Sequence, residues 1–266
     1  MTTAPNTTRL KQTWSDGGAA LGLWVSSDSG SSAEVLALQD VDYLNIDMQH
    51  GVVDYSGAVD VMRALSATDA TITCRVPWNE PGIIGKVLDA GAMGVIIPMV
   101  NTVEQAEAAV AACRYAPLGS RSHGPIRAAH VNGPDYPATA NARVACIPMI
   151  ETTEAMSNLD AILDVPGIDA VYVGPADLSL TLGLPPAGDH DDPKFQDALD
   201  TIVAACTERG IVAGIHANPG LTQKRLVQGF RMVTVSSDLL SLASGLSADL
   251  AAGRSADGAT GDGALY

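Results

Sequence analysis

Short apolar runs alternate with longer amphipathic segments along almost the whole chain. Runs that are apolar at nearly every position predict strands buried on both faces, and apolar residues at i, i+3 and i+4 predict helices that pack on one side. The predicted strands are Ala20–Val25, Tyr43–Ile46, Thr71–Val76, Gly94–Ile97, Ala145–Ile150, Ala170–Val173, Ile211–Ile215 and Met232–Val235. The clearest predicted helices are Tyr55–Ser66, Gly82–Ala90, Val103–Cys113, Thr153–Ile162 and Lys194–Glu208.

Polar residues and glycines mark where these helices should begin and end. Asn101-Thr102 and Thr152-Thr153 precede two of the predicted helices and can cap the free backbone amides of the first turn. Three glycines each precede a predicted strand, where a helix C-cap and a turn favour that residue: Gly91, Gly167 and Gly210.

About eight strand–helix units predict a single α/β domain over residues 1–252, a (β/α)8 TIM barrel. A doubly wound open sheet is the alternative. Such a sheet usually carries a glycine-rich phosphate loop, and the sequence contains neither GxGxxG nor GxxxxGK followed by Ser or Thr. The Gly/Pro/Asn-rich segment Ala116–Arg143 predicts a long functional βα-loop rather than a domain linker, and residues 253–266 predict a mobile C-terminal tail.

The composition fits a barrel and narrows the range of partners. Hydrophobic residues make up 47% of the chain and aromatic residues only 4%, so small and branched side chains must fill the layers. The formal net charge of -15 disfavours nucleic acids and anionic membranes as partners, and no apolar run approaches the roughly 20 residues that span a bilayer. Dispersed cysteines and an N-terminus without a signal-peptide core predict a reduced, cytoplasmic protein.

Polar side chains stand at the ends of the predicted strands, where a TIM barrel carries its chemistry. Each carboxylate alone has an ordinary structural explanation, as a helix cap or an ion-pair partner. Two carboxylates on adjacent strands, beside an arginine and a histidine, favour a functional site instead. In chain order the residues are Asp47, Gln49 and His50, then Arg75, Glu151, Asp177, His216 and Ser236.

The pair Glu151 and Asp177 predicts a divalent metal site. Two carboxylates held close together repel each other unless a cation lies between them, and oxygen ligands with open positions suit Mg2+ or Mn2+. A Schiff-base mechanism would need a lysine at a strand end. The lysines instead fall in the N-terminal tail or in helical patterns: Lys11, Lys86, Lys194 and Lys224. The sequence therefore predicts that a metal, rather than an amine, activates the substrate carbonyl.

Five motifs in this order resemble those of the HpcH/HpaI aldolases, class II pyruvate aldolases that include 4-hydroxy-2-oxoheptanedioate aldolase. The resemblance runs from Gly22 to about Ala251. It implies a (β/α)8 barrel whose last helix is exchanged between subunits, a hexamer arranged as a trimer of dimers, a divalent cofactor (Mg2+, Mn2+ or Co2+) and no nucleotide. The motifs are NIDMQHG (Asn45–Gly51), CRVPWNEP (Cys74–Pro81), VLDAGAMGVIIPMV (Val87–Val100), MIET-x-EAMSNLD (Met149–Asp160) and VYVGPADLS (Val171–Ser179).

The resemblance also implies roles for the residues at the strand ends. Glu151 and Asp177 are expected to hold the metal, and Arg75 to contact the pyruvate oxygens. The substrate carboxylate is expected to bind the backbone amides around Gly174, Pro175, Ala176 and Asp177.

His50 is expected to act as the acid/base residue through a metal-bound water. The resemblance gives it two polar partners, Asp47 and Asp89, and places Asp89 near a subunit boundary, so that a neighbouring subunit can complete the site.

The chain departs from the family at the strand-two motif, where many members carry Asp-x-Glu-His and this chain has Gln49. The missing carboxylate removes a negative charge beside the metal, which can change the aldehyde or donor that is accepted. Arg121 follows the same turn as in the family and is expected to bind substrate, and His216 to line the aldehyde pocket. His190 is expected at the surface. A solvated loop and a substrate-binding role both stay open for His123, Arg127 and His130.

These residues together predict reversible aldol cleavage of a 4-hydroxy-2-oxo acid to pyruvate, or hydroxypyruvate, and an aldehyde. One alternative is a CoA-thioester lyase resembling the citrate lyase β-subunit, which the low Lys and Arg content disfavours because the CoA phosphates need cations. The other alternative is a non-catalytic barrel that binds an oxo acid. The complete set of carboxylates, arginine and histidine disfavours it.

Overall fold

Eight parallel strands form the centre of the computed structural model, which describes residues 7–254. The strands are β1 (Ala20–Val25), β2 (Tyr43–Asp47), β3 (Thr71–Arg75), β4 (Gly94–Ile97), β5 (Ala145–Pro148), β6 (Ala170–Val173), β7 (Val212–His216) and β8 (Met232–Ser237). They pair in the order β5-β4-β3-β2-β1-β8-β7-β6. A parallel bridge between Met149 and Tyr172 then joins the two ends of the sheet. The predicted (β/α)8 barrel is therefore confirmed, with its seam between β5 and β6.

Helices follow the strands around the outside of the barrel. They are α1 (Arg9–Ser15), α2 (Gly30–Ala37), α3 (Tyr55–Ala64), α4 (Pro81–Ala90), α5 (Val103–Cys113), α6 (Ile126–Asn132), α7 (Tyr136–Arg143), α8 (Thr153–Ser157), α9 (Leu159–Leu163), α10 (Pro175–Thr181), α11 (Pro193–Glu208), α12 (Pro219–Gln228) and α13 (Asp238–Arg254). The predicted caps are confirmed: Thr102 forms a capping box with Gln105 on α5, and Thr152 caps α8. Gly91 ends α4 at a φ of 118°, in the left-handed region.

The segment between α5 and β5 differs from its prediction as a loop. Ala116–Arg143 connects α5 to β5 and contains the two short helices α6 and α7, so the prediction of a loop that follows a strand is wrong. These helices bury few residues, among them Ala128, Tyr136 and Ala140, which leaves too little apolar periodicity for the pattern to register.

Two of the predicted helices are not continuous over their predicted ranges. The helix predicted over Thr153–Ile162 is divided at Asn158, whose side-chain amide donates to the Asn101 carbonyl at 2.8 Å. The helix predicted over Tyr55–Ser66 ends at Ala64 and continues as a 3-10 turn. Gly253 and Arg254, the first residues of the predicted tail, belong to α13, so the predicted start of the tail is wrong. Residues 255–266 lie outside the described part of the chain, where the mobile tail stays a prediction.

Inward-facing side chains of different sizes fill the barrel. The Tyr43 hydroxyl lies 3.0 Å from Thr234 Oγ1, and the Tyr172 hydroxyl contacts the same atom. A Cβ at Gly22 would lie 2.4 Å from the Tyr43 ring, so a glycine there provides the space that the ring occupies. The N-terminal end of the barrel is closed by α1, because the buried Leu10 donates its amide to Thr71 Oγ1 at 2.9 Å.

The last helix, α13, is held at its first residue and exposed beyond it. Asp238 is the one buried residue of this helix. Its carboxylate accepts the backbone amides of Ser26 at 2.8 Å and Ser27 at 3.1 Å, and the Ser27 hydroxyl at 2.6 Å. The leucines further along the helix are between 44% and 59% exposed: Leu239, Leu240, Leu242, Leu246 and Leu250. An apolar helix face of this length is unusual on the surface of a monomer.

Within residues 7–254, no helix combines the length and the hydropathy that crossing a membrane would require. The cytoplasmic location stays a prediction.

Replacing Asp238 by alanine should lower the free energy of unfolding by about 2–4 kcal/mol, because three donors of the β1–α2 loop lose a charged acceptor. Urea unfolding followed by circular dichroism measures the change. Asp249→Ala, at an exposed position on the same helix, is the control and should alter the free energy little. Equal effects of the two substitutions would contradict the assigned role of Asp238.

Candidate active site

An ion pair joins the ends of β2 and β3 at the carboxyl end of the barrel. Asp47 and Arg75 are direct neighbours in the sheet register. Arg75 Nε lies 2.9 Å from Asp47 Oδ1 and Nη2 lies 2.7 Å from Oδ2, a bidentate geometry. Burial by itself would raise the pKa of Asp47, but the hydrogen bonds and charge of Arg75 outweigh it, and the pKa of Asp47 lies below its ordinary value. Asp47 therefore stays ionised beside the guanidinium.

The Asp47 carboxylate also shapes the turn that follows β2. Its Oδ1 accepts the backbone amides of Gln49 at 3.1 Å and of His50 at 3.3 Å. Asp47 thus holds the backbone of His50, not its ring, and the His50 side chain is exposed at the mouth. A Cβ at Gly51 would lie 2.3 Å from the Asp47 carbonyl oxygen, so the tight turn requires a glycine there. Gln49 Oε1 is buried and has no hydrogen-bond partner within residues 7–254.

Glu151 follows β5 and is only 2% exposed. Its Oε1 accepts the backbone amide of Met99 at 2.8 Å. Met99 has a φ of 56°, the left-handed conformation that non-glycine residues rarely adopt, in the turn that directs this amide at Glu151. A Cβ at Gly174 would lie 2.3 Å from Glu151 Oε2, so the carboxylate occupies the space that this glycine leaves.

Asp177 lies in the first turn of α10, close enough to Glu151 to influence its ionisation. Burial raises the pKa of Glu151 to about 7; the Met99 amide opposes this rise, the charge of Asp177 adds to it, and Arg75 opposes it. Nearby positive charge therefore does not fully compensate the two carboxylates, and a cation bound to both would do so. Across residues 7–254 no three His, Cys, Asp or Glu side chains are grouped to hold a metal. Two carboxylates with the remaining positions open to water or substrate suit a hard divalent cation.

The N-terminus of α10 offers backbone donors beside this pair. Ala176 and Asp177 lie in its first turn, where amides have no acceptor within the helix. Pro175 has no amide hydrogen, so the predicted backbone donors for the substrate carboxylate are the amides of its neighbours Gly174, Ala176 and Asp177. The residue type alone excludes Pro175 as a backbone donor, so the sequence was sufficient to show this.

His216 lies at the end of β7 and packs against Trp24. The two ring centroids are 4.8 Å apart in an edge-to-face arrangement, and the Arg75 guanidinium carbon lies 4.5 Å from the centre of the Trp24 ring. Burial lowers the pKa of His216 to about 4, and the positive charge of Arg75 lowers it further against the opposing effect of Asp47. A neutral imidazole therefore lines the mouth at physiological pH.

Asp89 and Arg121 form a separate pair. Arg121 Nη2 lies 2.7 Å from Asp89 Oδ1, and Nη1 donates to the Tyr136 hydroxyl at 3.1 Å. Its guanidinium carbon is 4.4 Å from the centre of the Tyr115 ring. No contact within residues 7–254 joins Asp89 to His50, so the expected partnership is not present within one subunit.

Within residues 7–254, the other residues named from the sequence form no hydrogen bond or ion pair with Asp47, Arg75, Glu151 or Asp177. All four lysines are on helices: Lys11 on α1, Lys86 on α4, Lys194 on α11 and Lys224 on α12. His190 bonds through Nε2 to the Pro185 carbonyl and is partly exposed. His123 lies beside the Tyr115 ring, Arg127 bonds backbone carbonyls, and His130 is exposed on α6.

The sequence did not single out Trp24 or Met99. Trp24 is one of three tryptophans and stands near the end of a predicted strand, a signal that could have identified it. Met99 acts through its backbone amide and a positive φ, and no methionine in a sequence indicates either property.

A barrel with charged side chains gathered at the carboxyl ends of its strands has the architecture of a TIM-barrel enzyme. The sequence model of the family described as HpcH/HpaI aldolase/citrate lyase matches residues 20–245, and the chain belongs to this family. It is an aldolase, a carbon–carbon lyase.

Two curated relatives and one solved structure show the degree of similarity. The chain is 37% identical over 235 residues to hydroxypyruvate/pyruvate aldolase of Rhizorhabdus wittichii, covering 88% of this chain and 94% of that protein. It is 38% identical over 248 residues to 4-hydroxy-2-oxo-heptane-1,7-dioate aldolase of Salmonella dublin, covering 91% and 94%. The crystal structure of an HpcH/HpaI aldolase/citrate lyase family protein from Burkholderia cenocepacia superposes with a TM-score of 0.87 at 35% identity, covering 94% of this chain and all of that one.

His216 should titrate far below an ordinary histidine. Its folded-state pKa of about 4 lies below the unfolded value of about 6.5, so its contribution to stability is complete above pH 6.5 and is lost as the pH falls towards 4. A two-dimensional NMR titration of the imidazole C–H signals, assigned with the His216→Gln protein, measures the pKa. That substitution should also flatten the dependence of unfolding free energy on pH between 6.5 and 4. A midpoint near 6.5 would contradict the packing described for Trp24 and Arg75.

Proposed function

We propose that the protein catalyses the metal-dependent, reversible aldol cleavage of a 4-hydroxy-2-oxo acid to pyruvate, or hydroxypyruvate, and an aldehyde. The observation that carries the proposal is the buried carboxylate of Glu151, whose pKa is raised by burial and by the charge of Asp177, within the electrostatic influence of Arg75. The names of the two curated relatives, one a hydroxypyruvate/pyruvate aldolase and the other an aldolase of a 4-hydroxy-2-oxo acid, support the same chemistry.

Glu151 and Asp177 would hold the divalent cation. When bound, such a cation supplies Lewis-acid polarisation of the 2-oxo carbonyl. Arg75 donates hydrogen bonds to the Asp47 carboxylate through Nε and Nη2, and its Nη1 makes no hydrogen bond within residues 7–254. Nη1 is therefore free to donate to the oxygen on which negative charge develops as the enolate forms. The first-turn amides of Ala176 and Asp177 bind the substrate carboxylate.

His50 carries the proton transfer in this proposal. Its ring is exposed at the mouth and its backbone is fixed by Asp47, so the imidazole can reach substrate without breaking a protein contact. It accepts the proton of the C4 hydroxyl while the C3–C4 bond breaks, which releases the aldehyde and leaves the pyruvate enolate. The protonated imidazole then gives this proton to C3 of the enolate, which forms pyruvate. In the reverse direction it returns that proton to the new hydroxyl. Gln49 Oε1 has no hydrogen-bond partner within residues 7–254. A hydrogen bond from the substrate to this oxygen would influence which donor or aldehyde the site accepts.

Glu151→Gln and Asp177→Asn should each lower aldol cleavage by more than about 100-fold and weaken Mn2+ binding, because each removes one of two charged oxygen ligands. Pyruvate release coupled to lactate dehydrogenase measures the reaction, and calorimetry measures Mn2+ binding. A panel of aldehydes offered with pyruvate and with hydroxypyruvate, in Mg2+, Mn2+ and Co2+, identifies the substrates. Glu154→Gln, an exposed acid on α8, is the matched control and should behave like the unaltered protein.

Full activity after chelation, or a covalent substrate adduct trapped by borohydride, would overturn the metal-dependent mechanism. Normal Mn2+ binding by the Glu151→Gln and Asp177→Asn proteins would overturn the ligand assignment. Strong competition by CoA esters in the pyruvate assay would favour a CoA-thioester lyase.

We also propose a homo-oligomer in which α13 packs against a partner subunit, as in the trimer of dimers that the resemblance implies. The exposed leucines of α13 support this arrangement because one chain leaves them in water. The Asp89–Arg121 pair, which one chain does not bring to His50, supports a site completed by a neighbouring subunit.

The double substitution Leu242→Glu and Leu246→Glu should reduce the molecular mass in solution, because two charges would enter an apolar interface. Sedimentation velocity at several protein concentrations measures the assembly. Ser244→Glu, which adds charge on the other side of α13, is the control and should assemble normally. Unchanged assembly of the leucine variant would show that α13 lies outside the interface.

A further inference from the structure

A cavity of about 390 Å3 lies at the opposite end of the barrel from the candidate active site. Its walls come from the N-terminal part of β3, the residues before β4, the end of α4 and the helices α6 and α7. The apolar wall includes Met62, Leu65 and Met93. Three arginines also line the cavity: Arg9, Arg127 and Arg143. A cavity of this size accommodates a small organic ligand.

Arg143 is a buried cation without a counter-ion. It is 5% exposed and forms no ion pair within residues 7–254. Its Nη1 donates to the Asn132 carbonyl at 3.1 Å, and its Nε is buried with no hydrogen-bond partner in that same range. The Asn132 side-chain amide nitrogen is likewise buried and unpartnered there. A buried guanidinium with an unused donor is costly unless an anion or acceptor reaches it.

Arg127 lines the same cavity and also lacks a carboxylate partner among the described residues. Its Nη1 donates to the Ala90 carbonyl, and its Nη2 donates to the Met62 carbonyl at 3.1 Å and to Ser66 Oγ at 3.3 Å. A Cβ at Gly91 would lie 2.8 Å from Nη1, so the glycine that ends α4 also makes room for this guanidinium. The neutral acceptors orient Arg127 and leave its charge uncompensated.

The absence of counter-ions here is notable because the chain has 30 acidic and only 15 basic residues. Arg9, at the edge of the cavity, is compensated by Asp40 at 2.6 Å and Asp42 at 3.3 Å. Asp69, an exposed acid on the lining, forms no ion pair with Arg127 or Arg143 within residues 7–254. The cavity therefore combines a positive end with an apolar wall in a protein that is otherwise strongly negative.

We propose that this cavity is a binding site for a small organic oxyanion, a carboxylate or a phosphate monoester, with a short apolar body. The anionic group would lie between Arg127 and Arg143, where guanidinium donors form charge-assisted hydrogen bonds. The apolar body would lie against Met62, Leu65 and Met93. This site is independent of the proposed aldolase chemistry, since it shares no residue with it.

Methionine methyl signals can locate such a ligand. Metal-free protein labelled with 13C at the methionine methyl groups would be titrated with phenyl phosphate and, separately, with phenylacetate. Saturable shifts of Met62 and Met93 are expected, and the probe that binds more tightly identifies the preferred oxyanion. The proposal would be overturned if neither probe, at a 10-fold excess over about 1 mM protein, shifted a methionine signal. It would also be overturned if the shifts were confined to Met48, Met99 and Met149 near the barrel mouth.

Arg127→Met should weaken binding of the tighter probe by about tenfold or more, because a charged donor is lost. Arg127→Lys should recover part of the affinity, since it restores the charge without the planar fork. Arg231→Met is the matched control: Arg231 is exposed, bonds only backbone carbonyls within the described residues and lies outside the cavity. Equal affinity in the Arg127→Met and Arg231→Met proteins would overturn the site. A change in methionine shifts without a change in aldolase activity would still support it.

Discussion

The ion pair between Asp47 and Arg75 is the constraint on which the barrel mouth depends. It joins neighbouring strands at register partners, so a shift of β2 against β3 would also separate the charges. The carboxylate orients the backbone of Gln49 and His50, and the guanidinium lies over Trp24, which in turn packs against His216. Removing one partner of a buried ion pair costs about 3–5 kcal/mol, so folding and the positions of the functional groups cannot be altered separately here.

The two most buried carboxylates of the mouth have opposite electrostatic situations. Asp47 is 4% exposed and Glu151 is 2% exposed, yet the pKa of Asp47 falls and that of Glu151 rises to about 7. The difference lies in their partners. A guanidinium fork compensates Asp47, whereas Glu151 has one backbone amide and a second carboxylate nearby. The protein therefore compensates the negative charge of Asp47 but not that of Glu151, which is why only Glu151 suits a cation.

The sequence predicted the strands well because their residues are mainly buried, which leaves a short apolar run in the sequence for each strand. β1, β4 and β6 have the predicted bounds, and the others differ by a few residues. The helices α6 and α7 escaped prediction because burial of Ala128, Tyr136 and Ala140 leaves little periodic signal. Chain order indicated which side chains reach the barrel mouth. It could not indicate the positive φ of Met99 or the pairing of Asp89 with Arg121, which depend on backbone geometry and on contacts between distant segments.

The seam of the barrel lies between β5 and β6, the two strands that precede Glu151 and Asp177 in the chain. Along this seam β5 and β6 form no regular ladder. The Met149–Tyr172 bridge joins them together with backbone hydrogen bonds from the Ile150 amide to the Tyr172 carbonyl at 2.9 Å and from the Asp169 amide to the Cys146 carbonyl at 3.1 Å. Any ligand held by both carboxylates would therefore link β5 to β6, the two neighbouring strands of the barrel with the least regular pairing. Closure of the barrel and binding of that ligand are then linked equilibria. A higher ligand concentration would increase the stability of the closed barrel.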